Sequence, residues 1–290
     1  MLEKFTSMLT KKKPLFEDIP QPVGIEKIIA VASGKGGVGK STTAATLAFL
    51  LSSMNRKVGV LDADVYGPSM THIFKAAKIG TGSLDKTKVE PKLFANIKVI
   101  SAGMFAPKEK AQILRGPMAG NLVKQFYSEV SWGDLHYLIL DLPPGTGDIQ
   151  LTLAQNLPIT TSVIVTTPEE IATNDVEKAI QMFHILNIPI AGIVETMSYF
   201  TCDSCDKRHS LYPGNGGTRL SEKFGIPLLA QIPFDPQLNR DLDQGLDPVS
   251  IHPQMPSLLA YRSLVRGLES TLQSAPSSDR LSSFQLDWRT

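Results

Sequence analysis

The chain has few cysteines, no long apolar run and almost no net charge, and each shortage excludes a class of protein. Two cysteines in 290 residues are too few for a secreted domain built on disulfides. No uninterrupted apolar stretch of about 18 residues is present, so no segment is predicted to span a membrane. The formal net charge of +1 lacks the basic excess typical of a general nucleic-acid binder. We therefore expect a cytoplasmic protein with no membrane or nucleic-acid partner.

From Ile25 onward, short β-branched segments alternate with longer segments of helical period, which is typical of βαβ units. Near-continuous apolar strands also suit a sheet with helices on both faces. The pattern predicts strands at residues 27–33, 57–62, 97–102, 136–141, 161–166, 190–195 and 227–232. It predicts helices at residues 40–54, 173–186 and 256–272.

These elements predict an α/β protein with a doubly wound, mostly parallel sheet. One domain is expected from residue 26 to 273, after a flexible leader at 1–25 and before a loosely ordered tail at 274–290. In that tail Phe284, Leu286 and Trp288 alternate with polar residues. They could form a docking strand for a partner or fold back on the domain.

Residues 34–41, GKGGVGKS, match a phosphate-binding loop and lie between a predicted strand and a predicted helix, as the motif requires. The glycines let backbone N–H groups turn toward phosphate oxygens, and the helix start adds its positive dipole end. Lys40 is expected to reach the β- and γ-phosphates, and the Ser41 hydroxyl to bind Mg²⁺. A glycine-rich turn without a ligand is a weak alternative, because motif and flanks agree. The predicted nucleotide-binding residues are Gly34, Lys35, Gly36, Gly37, Val38, Gly39, Lys40, Ser41 and Thr42.

Acidic residues at two strand ends complete the prediction of an Mg·ATP site. Asp62 and Asp64 close the second predicted strand, and Asp141 closes the strand at 136–141 before the sequence LPPGTGD. A carboxylate at such a position can hold Mg²⁺ through water, and the glycines permit a switch movement when the γ-phosphate leaves. We expect this role for Asp64 and Asp141, with Asp64 also orienting the attacking water. Singly, each could be a helix cap or a surface residue.

The loop carries a second lysine, Lys35, and the sequence KGGVGKST resembles the deviant P-loop family. That family includes the nitrogenase iron protein and the cell-division and partition ATPases. The resemblance implies a homodimer with ATP between the subunits, in which Lys35 contacts the partner's nucleotide. The predicted catalytic residues are therefore Lys35, Lys40 and Asp64.

Longer sequence segments resemble a narrower family within this group. They are LDADVYGPS at 61–69, RGPM at 115–118, DLPPGTGD at 141–148, TTP at 166–168, ETMSYF at 195–200 and CDSC at 202–205. Together they resemble the Mrp/ApbC family of iron–sulfur cluster carriers over roughly residues 26–255. The resemblance implies an ATPase that delivers a cluster to apo-proteins. The chain departs from the family at Thr196, where members typically have an Asn expected to help recognise adenine.

Cys202 and Cys205 are the candidate cluster ligands. A [4Fe–4S] cluster takes four thiolates, and a two-fold dimer would bring the pair from each subunit to one axis. Three alternatives remain for the pair. It could form a thioredoxin-like disulfide, it could be half of a zinc site with His209 as a third ligand, or it could be structurally inert.

Two other functions share parts of this pattern. A MinD/ParA-like spatial regulator would have the same loop and both lysines, but it would need a basic amphipathic helix or a basic DNA-binding face. A nitrogenase-type electron donor also bridges a cluster across a dimer, but it draws cysteines from widely separated segments. The cluster carrier accounts for the cysteine pair and is the preferred prediction.

Overall fold

The computed structural model describes residues 22–76, 89–105, 116–202 and 204–274. Most of the predicted leader, Arg115 of the RGPM segment, and the tail with Phe284, Leu286 and Trp288 lie outside the described residues.

The described chain alternates strands and helices as the sequence pattern predicts. The strands are β1 (Ile25–Ser33), β2 (Val58–Asp62), β3 (Lys92–Phe94), β4 (Ile97–Ser101), β5 (Leu135–Asp141), β6 (Thr161–Thr166), β7 (Ile190–Glu195), β8 (Phe200–Thr201), β9 (Arg208–His209) and β10 (Leu228–Gln231). The helices are α1 (Lys40–Ser53), α2 (Met70–Ile73), α3 (Gly116–Glu129), α4 (Asp148–Asn156), α5 (Glu170–Ile185), α6 (Gly216–Phe224), α7 (Pro236–Asp243), α8 (Pro248–Ile251) and α9 (Pro256–Ser274). A single 3₁₀ turn, Ala102–Met104, follows β4.

One sheet of eight strands runs in the order β10-β7-β6-β1-β5-β2-β4-β3. Every neighbouring pair is parallel except β3 and β4, which are antiparallel at the sheet edge. This confirms the predicted doubly wound, mostly parallel sheet. The sequence pattern did not find the edge strand β3 or the small hairpin of β8 and β9, because segments of two or three residues carry no measurable period.

The sheet is covered on both faces by helices, as its continuous apolar strands require. On one face, α1 packs against α8 and α9, and on the other α3 packs against α4 and α5 against α6. The helix predicted at 256–272 is present as α9, and its apolar residues Leu258, Tyr261, Val265 and Leu268 are all buried. Within that layer the Tyr261 hydroxyl lies 3.1 Å from the Thr43 hydroxyl of α1.

The chain winds in opposite directions from β1, which lies between β5 and β6. Ligands of open α/β sheets bind outside the carboxyl ends of the strands at such a reversal point. The register places Asp62 beside Asp141 and Thr166 beside Glu195 at that edge. The turn from β1 into α1 leaves the sheet at the same edge, so the fold collects the predicted nucleotide residues there. Among the helices that the structure describes, none combines the length and apolarity of a membrane span.

Candidate nucleotide site and cysteine hairpin

The loop between β1 and α1 needs glycine for two different reasons. Gly37 and Gly39 have φ angles of 80° and 78°, in the left-handed region that residues with a Cβ rarely adopt. Gly34 instead lies against α5, where a Cβ would stand 2.4 Å from both the Asp175 carbonyl carbon and the Val176 nitrogen. The loop is therefore shaped by its own dihedral angles and by a close backbone approach from a helix far along the chain.

Lys40 and Ser41 open α1 and both contact Asp141 at the end of β5. The Lys40 Nζ lies 2.6 Å from Asp141 Oδ1, and the Ser41 hydroxyl donates to Asp141 Oδ2 at 2.6 Å. Lys40 is only 6% exposed and Asp141 is fully buried. The structure thus brings three of the predicted residues into one cluster at the start of a helix, where the dipole favours anions.

Asp62 is a second buried acid beside this cluster. Burial, together with the neighbouring Asp141 carboxylate, raises the pKa of Asp62 to about 7. Burial also raises the pKa of Asp141, although the Lys40 ammonium opposes that rise. Two negative charges side by side are unfavourable in a dry environment, and Lys40 supplies the compensating positive charge.

Asp62 is occupied in holding the loop that carries Asp64. Its carboxylate accepts hydrogen bonds from the backbone nitrogens of Asp64 and Met70, both at 3.1 Å, and from the Ser101 hydroxyl at 2.8 Å. Asp64, in turn, accepts from Gly67 N at 3.1 Å. The sequence singled out Asp64 for chemistry, and the structure shows that Asp62 organises the segment around it.

Lys35, the second lysine of the loop, forms an ion pair with Glu169. The Lys35 Nζ lies 2.8 Å from Glu169 Oε2, and both side chains are about one-third exposed. The Thr167 hydroxyl donates to the same carboxylate oxygen at 3.4 Å. Glu169 immediately precedes α5, and sequence reasoning did not find it because no local pattern links it to a lysine so far away in the chain.

Glu195, at the end of β7, is a further residue that sequence reasoning did not place in the site, whereas Thr196 beside it was noted only for base recognition. Glu195 is 2% exposed and accepts from the Gly217 nitrogen, the Ser198 hydroxyl and the Gln231 amide at 2.7 to 2.9 Å. The Thr196 hydroxyl donates to the Val38 carbonyl at 2.6 Å and lies 3.0 Å from the Thr166 carbonyl. Thr196 therefore fastens the phosphate loop to the sheet edge.

Cys202 and Cys205 lie in the loop that joins β8 and β9. The Cys202 nitrogen donates to the Lys207 carbonyl at 3.0 Å, and the Asp206 nitrogen donates to the Cys202 carbonyl at 2.9 Å, which closes a tight turn around the pair. Neither cysteine forms a disulfide, and Cys205 is exposed while Cys202 is half-buried. Next to the turn, the guanidinium carbon of Arg208 lies over the Tyr199 ring, 4.6 Å from its centroid.

The cysteines form a site separate from the phosphate loop. Among the described residues, no group of three His, Cys, Asp or Glu side chains is placed to hold a metal ion. His209 therefore does not join the cysteines in a three-ligand set, and Asp62, Asp64 and Asp141 do not converge on a single point. Among the described residues, the cysteine pair supplies two ligands.

The doubly wound sheet, the glycine loop opening α1, and the lysine and carboxylates around it define a P-loop NTPase fold. The chain belongs to the ParA family described as NUBPL iron-transfer P-loop NTPase, whose model matches residues 24–269. This confirms the family resemblance inferred from the motifs.

Curated relatives carry the name iron–sulfur cluster carrier protein. The Escherichia coli K12 relative is 44% identical over 241 residues, which cover 83% of this chain and 65% of the relative. The Aquifex aeolicus relative is 40% identical over 266 residues, covering 91% of this chain and 72% of the relative. The chain thus spans about two-thirds of the length of these relatives, with 65% for the Escherichia coli protein.

Solved structures show the same fold. A nucleotide-binding protein from Archaeoglobus fulgidus, in complex with ADP, is 36% identical, with a TM-score of 0.69 over 81% of this chain and 91% of that one. The Pyrococcus furiosus cell-division ATPase MinD is 21% identical, with a TM-score of 0.63 over 84% of this chain and 98% of that one. At that identity the likeness to MinD concerns the fold alone.

Proposed function

We propose that this protein is an ATP-dependent iron–sulfur cluster carrier, which works as a homodimer, binds a cluster and transfers it to apo-proteins. The observation that carries the proposal is the cysteine hairpin, which places Cys202 and Cys205 in one tight turn outside the core with no disulfide between them. The name shared by the relatives in Escherichia coli and Aquifex aeolicus supports it.

The nucleotide half of the proposal rests on the cluster around α1. Lys40 is assigned to the β- and γ-phosphates, and the backbone N–H groups of residues 34–42 to the phosphate oxygens. The hydroxyl of Ser41 and the carboxylates of Asp64 and Asp141 are hard oxygen donors, which suit Mg²⁺. Ser41 would hold the ion directly, and the two carboxylates through water; the ion neutralises charge on the phosphates. We assign Asp64 to orienting the attacking water.

The cluster half of the proposal rests on the number of thiolates. A [4Fe–4S] cluster takes four thiolates, and this chain has two cysteines. A two-fold dimer supplies two from each subunit, so the cluster would be bridged between subunits. In the same dimer, Lys35 would reach the partner's nucleotide once the Lys35 side chain leaves its ion pair with Glu169. Cysteines without a disulfide are typical of a reducing compartment, so we assign the protein to the cytoplasm.

Anaerobic reconstitution tests the cluster assignment. Wild-type protein is expected to take up iron and acid-labile sulfide at one [4Fe–4S] per dimer, with matching visible absorption. Cys202→Ser and Cys205→Ser should each lose the cluster rather than half of it, because each removes two of four ligands from the dimer. ATP hydrolysis should persist in both variants, since the cysteines lie on a separate hairpin.

The same measurement separates the alternatives. Wild-type protein that retains only zinc would sink the bridged-cluster proposal and favour a zinc site. A single cysteine variant that keeps a full cluster would show that the two cysteines are not jointly required. Transfer to an apo-ferredoxin from wild type, and none from either variant, would support the carrier role.

A further inference from the structure

The phosphate loop and the cysteine hairpin are joined by a short segment, residues 195–201, that begins at the end of β7. Thr196 is its contact with the nucleotide site, because its hydroxyl donates to the Val38 carbonyl inside the loop at 2.6 Å. Thr196 is 4% exposed, and a Cβ on Gly39 would stand 3.6 Å from the Thr196 methyl group. A buried hydrogen bond therefore fixes this residue to the loop, and its methyl group lies beside Gly39, directly before Lys40.

The next residues of the segment are held by hydrogen bonds to the residues that follow β10. The Ser198 nitrogen donates to the Ile232 carbonyl at 3.0 Å, and its hydroxyl donates to the buried Glu195 carboxylate at 2.9 Å. The Phe234 nitrogen then donates to the Tyr199 carbonyl at 2.7 Å, directly before β8 and the cysteines. The segment is thus held to the phosphate loop at its start and to the residues after β10 at 198 and 199, and it continues directly into β8 of the cysteine hairpin.

Between these two attachments lies Met197, with a φ angle of 52°. Left-handed backbone is uncommon for a residue with a long side chain, and such conformations persist where surrounding bonds impose them. The bonds of Thr196 on one side and Ser198 on the other impose it here. A displacement of the Val38 carbonyl therefore cannot be absorbed locally without releasing the strained residue next to it.

We propose that Thr196 is a positioning residue that couples nucleotide binding to the cysteine hairpin, through its bond to Val38 and the segment 195–201. The proposal deepens the carrier function and rests on it. Thr196 thus serves to hold the phosphate loop. A bound nucleotide that draws in the loop would pull on Thr196 and so change the exposure of Cys202 and Cys205.

The test measures alkylation of Cys202 and Cys205 by iodoacetamide in the full-length, cluster-free protein, with and without saturating Mg·AMP-PNP. In wild type, nucleotide should change the alkylation rate at least threefold. Thr196→Val keeps the shape but removes the hydroxyl, so it should bind AMP-PNP roughly tenfold more weakly. At saturation it should no longer show the change in rate. Thr196→Ser restores the hydroxyl and should recover the response.

The matched control is Thr161→Val. Thr161 is also buried, and its hydroxyl donates to the Pro189 carbonyl at 3.1 Å, at the opposite end of β6. This variant should respond to nucleotide as wild type does. If Thr196→Val does not fold, Ser198→Ala removes the hydroxyl bond from Ser198 to Glu195, which stiffens the segment, without touching the loop. This variant should bind nucleotide normally but lose the response.

Three results would overturn the coupling. The first is an alkylation rate in wild type that does not change with nucleotide. The second is an undiminished change in the rate in Thr196→Val or in folded Ser198→Ala, and the third is an equal loss of the response in Thr161→Val. Because the thiol measurement needs no cluster, its outcome is independent of the reconstitution experiment. Wild-type protein that shows the nucleotide response but binds no cluster would contradict the carrier function and leave the coupling standing.

Discussion

Gly34 offers the sharpest test of how the phosphate loop is built. A Cβ at this position would lie 2.4 Å from two backbone atoms of α5, the Asp175 carbonyl carbon and the Val176 nitrogen. Backbone atoms of a packed helix cannot swing aside as a flexible side chain can, so Gly34→Ala must push the loop away from α5. Overpacking of this kind typically costs ~1–3 kcal/mol of folding free energy.

The loss should appear as a lower melting temperature measured without nucleotide. A chain of this size loses roughly 2–4 °C for each kcal/mol, so Gly34→Ala should melt a few degrees below wild type. Gly36→Ala is the matched control in the same loop, because a Cβ there meets nothing nearer than a Pro144 side-chain atom at 4.0 Å. Nucleotide affinity should also fall in Gly34→Ala. A Gly34→Ala protein with the melting temperature and nucleotide affinity of wild type would refute the close-approach argument.

Two further predictions concern the nucleotide site and the layer behind it. Lys40→Ala should abolish ATP hydrolysis while far-UV circular dichroism stays native, because the neighbouring Asp141 can take up a proton when its cation is removed. Lys35→Ala chains mixed with Lys40→Ala chains should form heterodimers in which one mutation lowers turnover at the other subunit's site; unaffected turnover would disprove the cross-dimer role of Lys35. Tyr261→Phe should lower the free energy of unfolding by about 1–2 kcal/mol, because it leaves the buried Thr43 hydroxyl without its partner. A wild-type denaturant midpoint would contradict this.

The sequence by itself was sufficient for the seven parallel strands of the sheet and for the phosphate loop. All seven predicted strands are present, with ends within two residues of those observed. Buried parallel strands are continuous apolar runs, and the phosphate loop is a continuous motif between a strand and a helix, so both are encoded locally. Asp64 and Asp141 were singled out for a related reason, since each lies at or just after the end of a predicted strand, and their Mg²⁺ roles stay predictions. The family followed from several motifs in order along the chain.

Only the tertiary structure showed how these parts are held together. The bond from Thr196 to the Val38 carbonyl joins residues 158 positions apart, and the ion pair of Lys35 with Glu169 joins residues 134 apart. Asp62 was visible in the sequence as an acid at a strand end, but its three hydrogen bonds depend on a loop and a neighbouring strand. Sequence periodicity reports which face of an element is buried, not which distant polar group it meets there. Which polar groups pair in a buried site depends on the distance between donor and acceptor and on the angle of the bond. Both are set only after the sheet has brought the strand ends together.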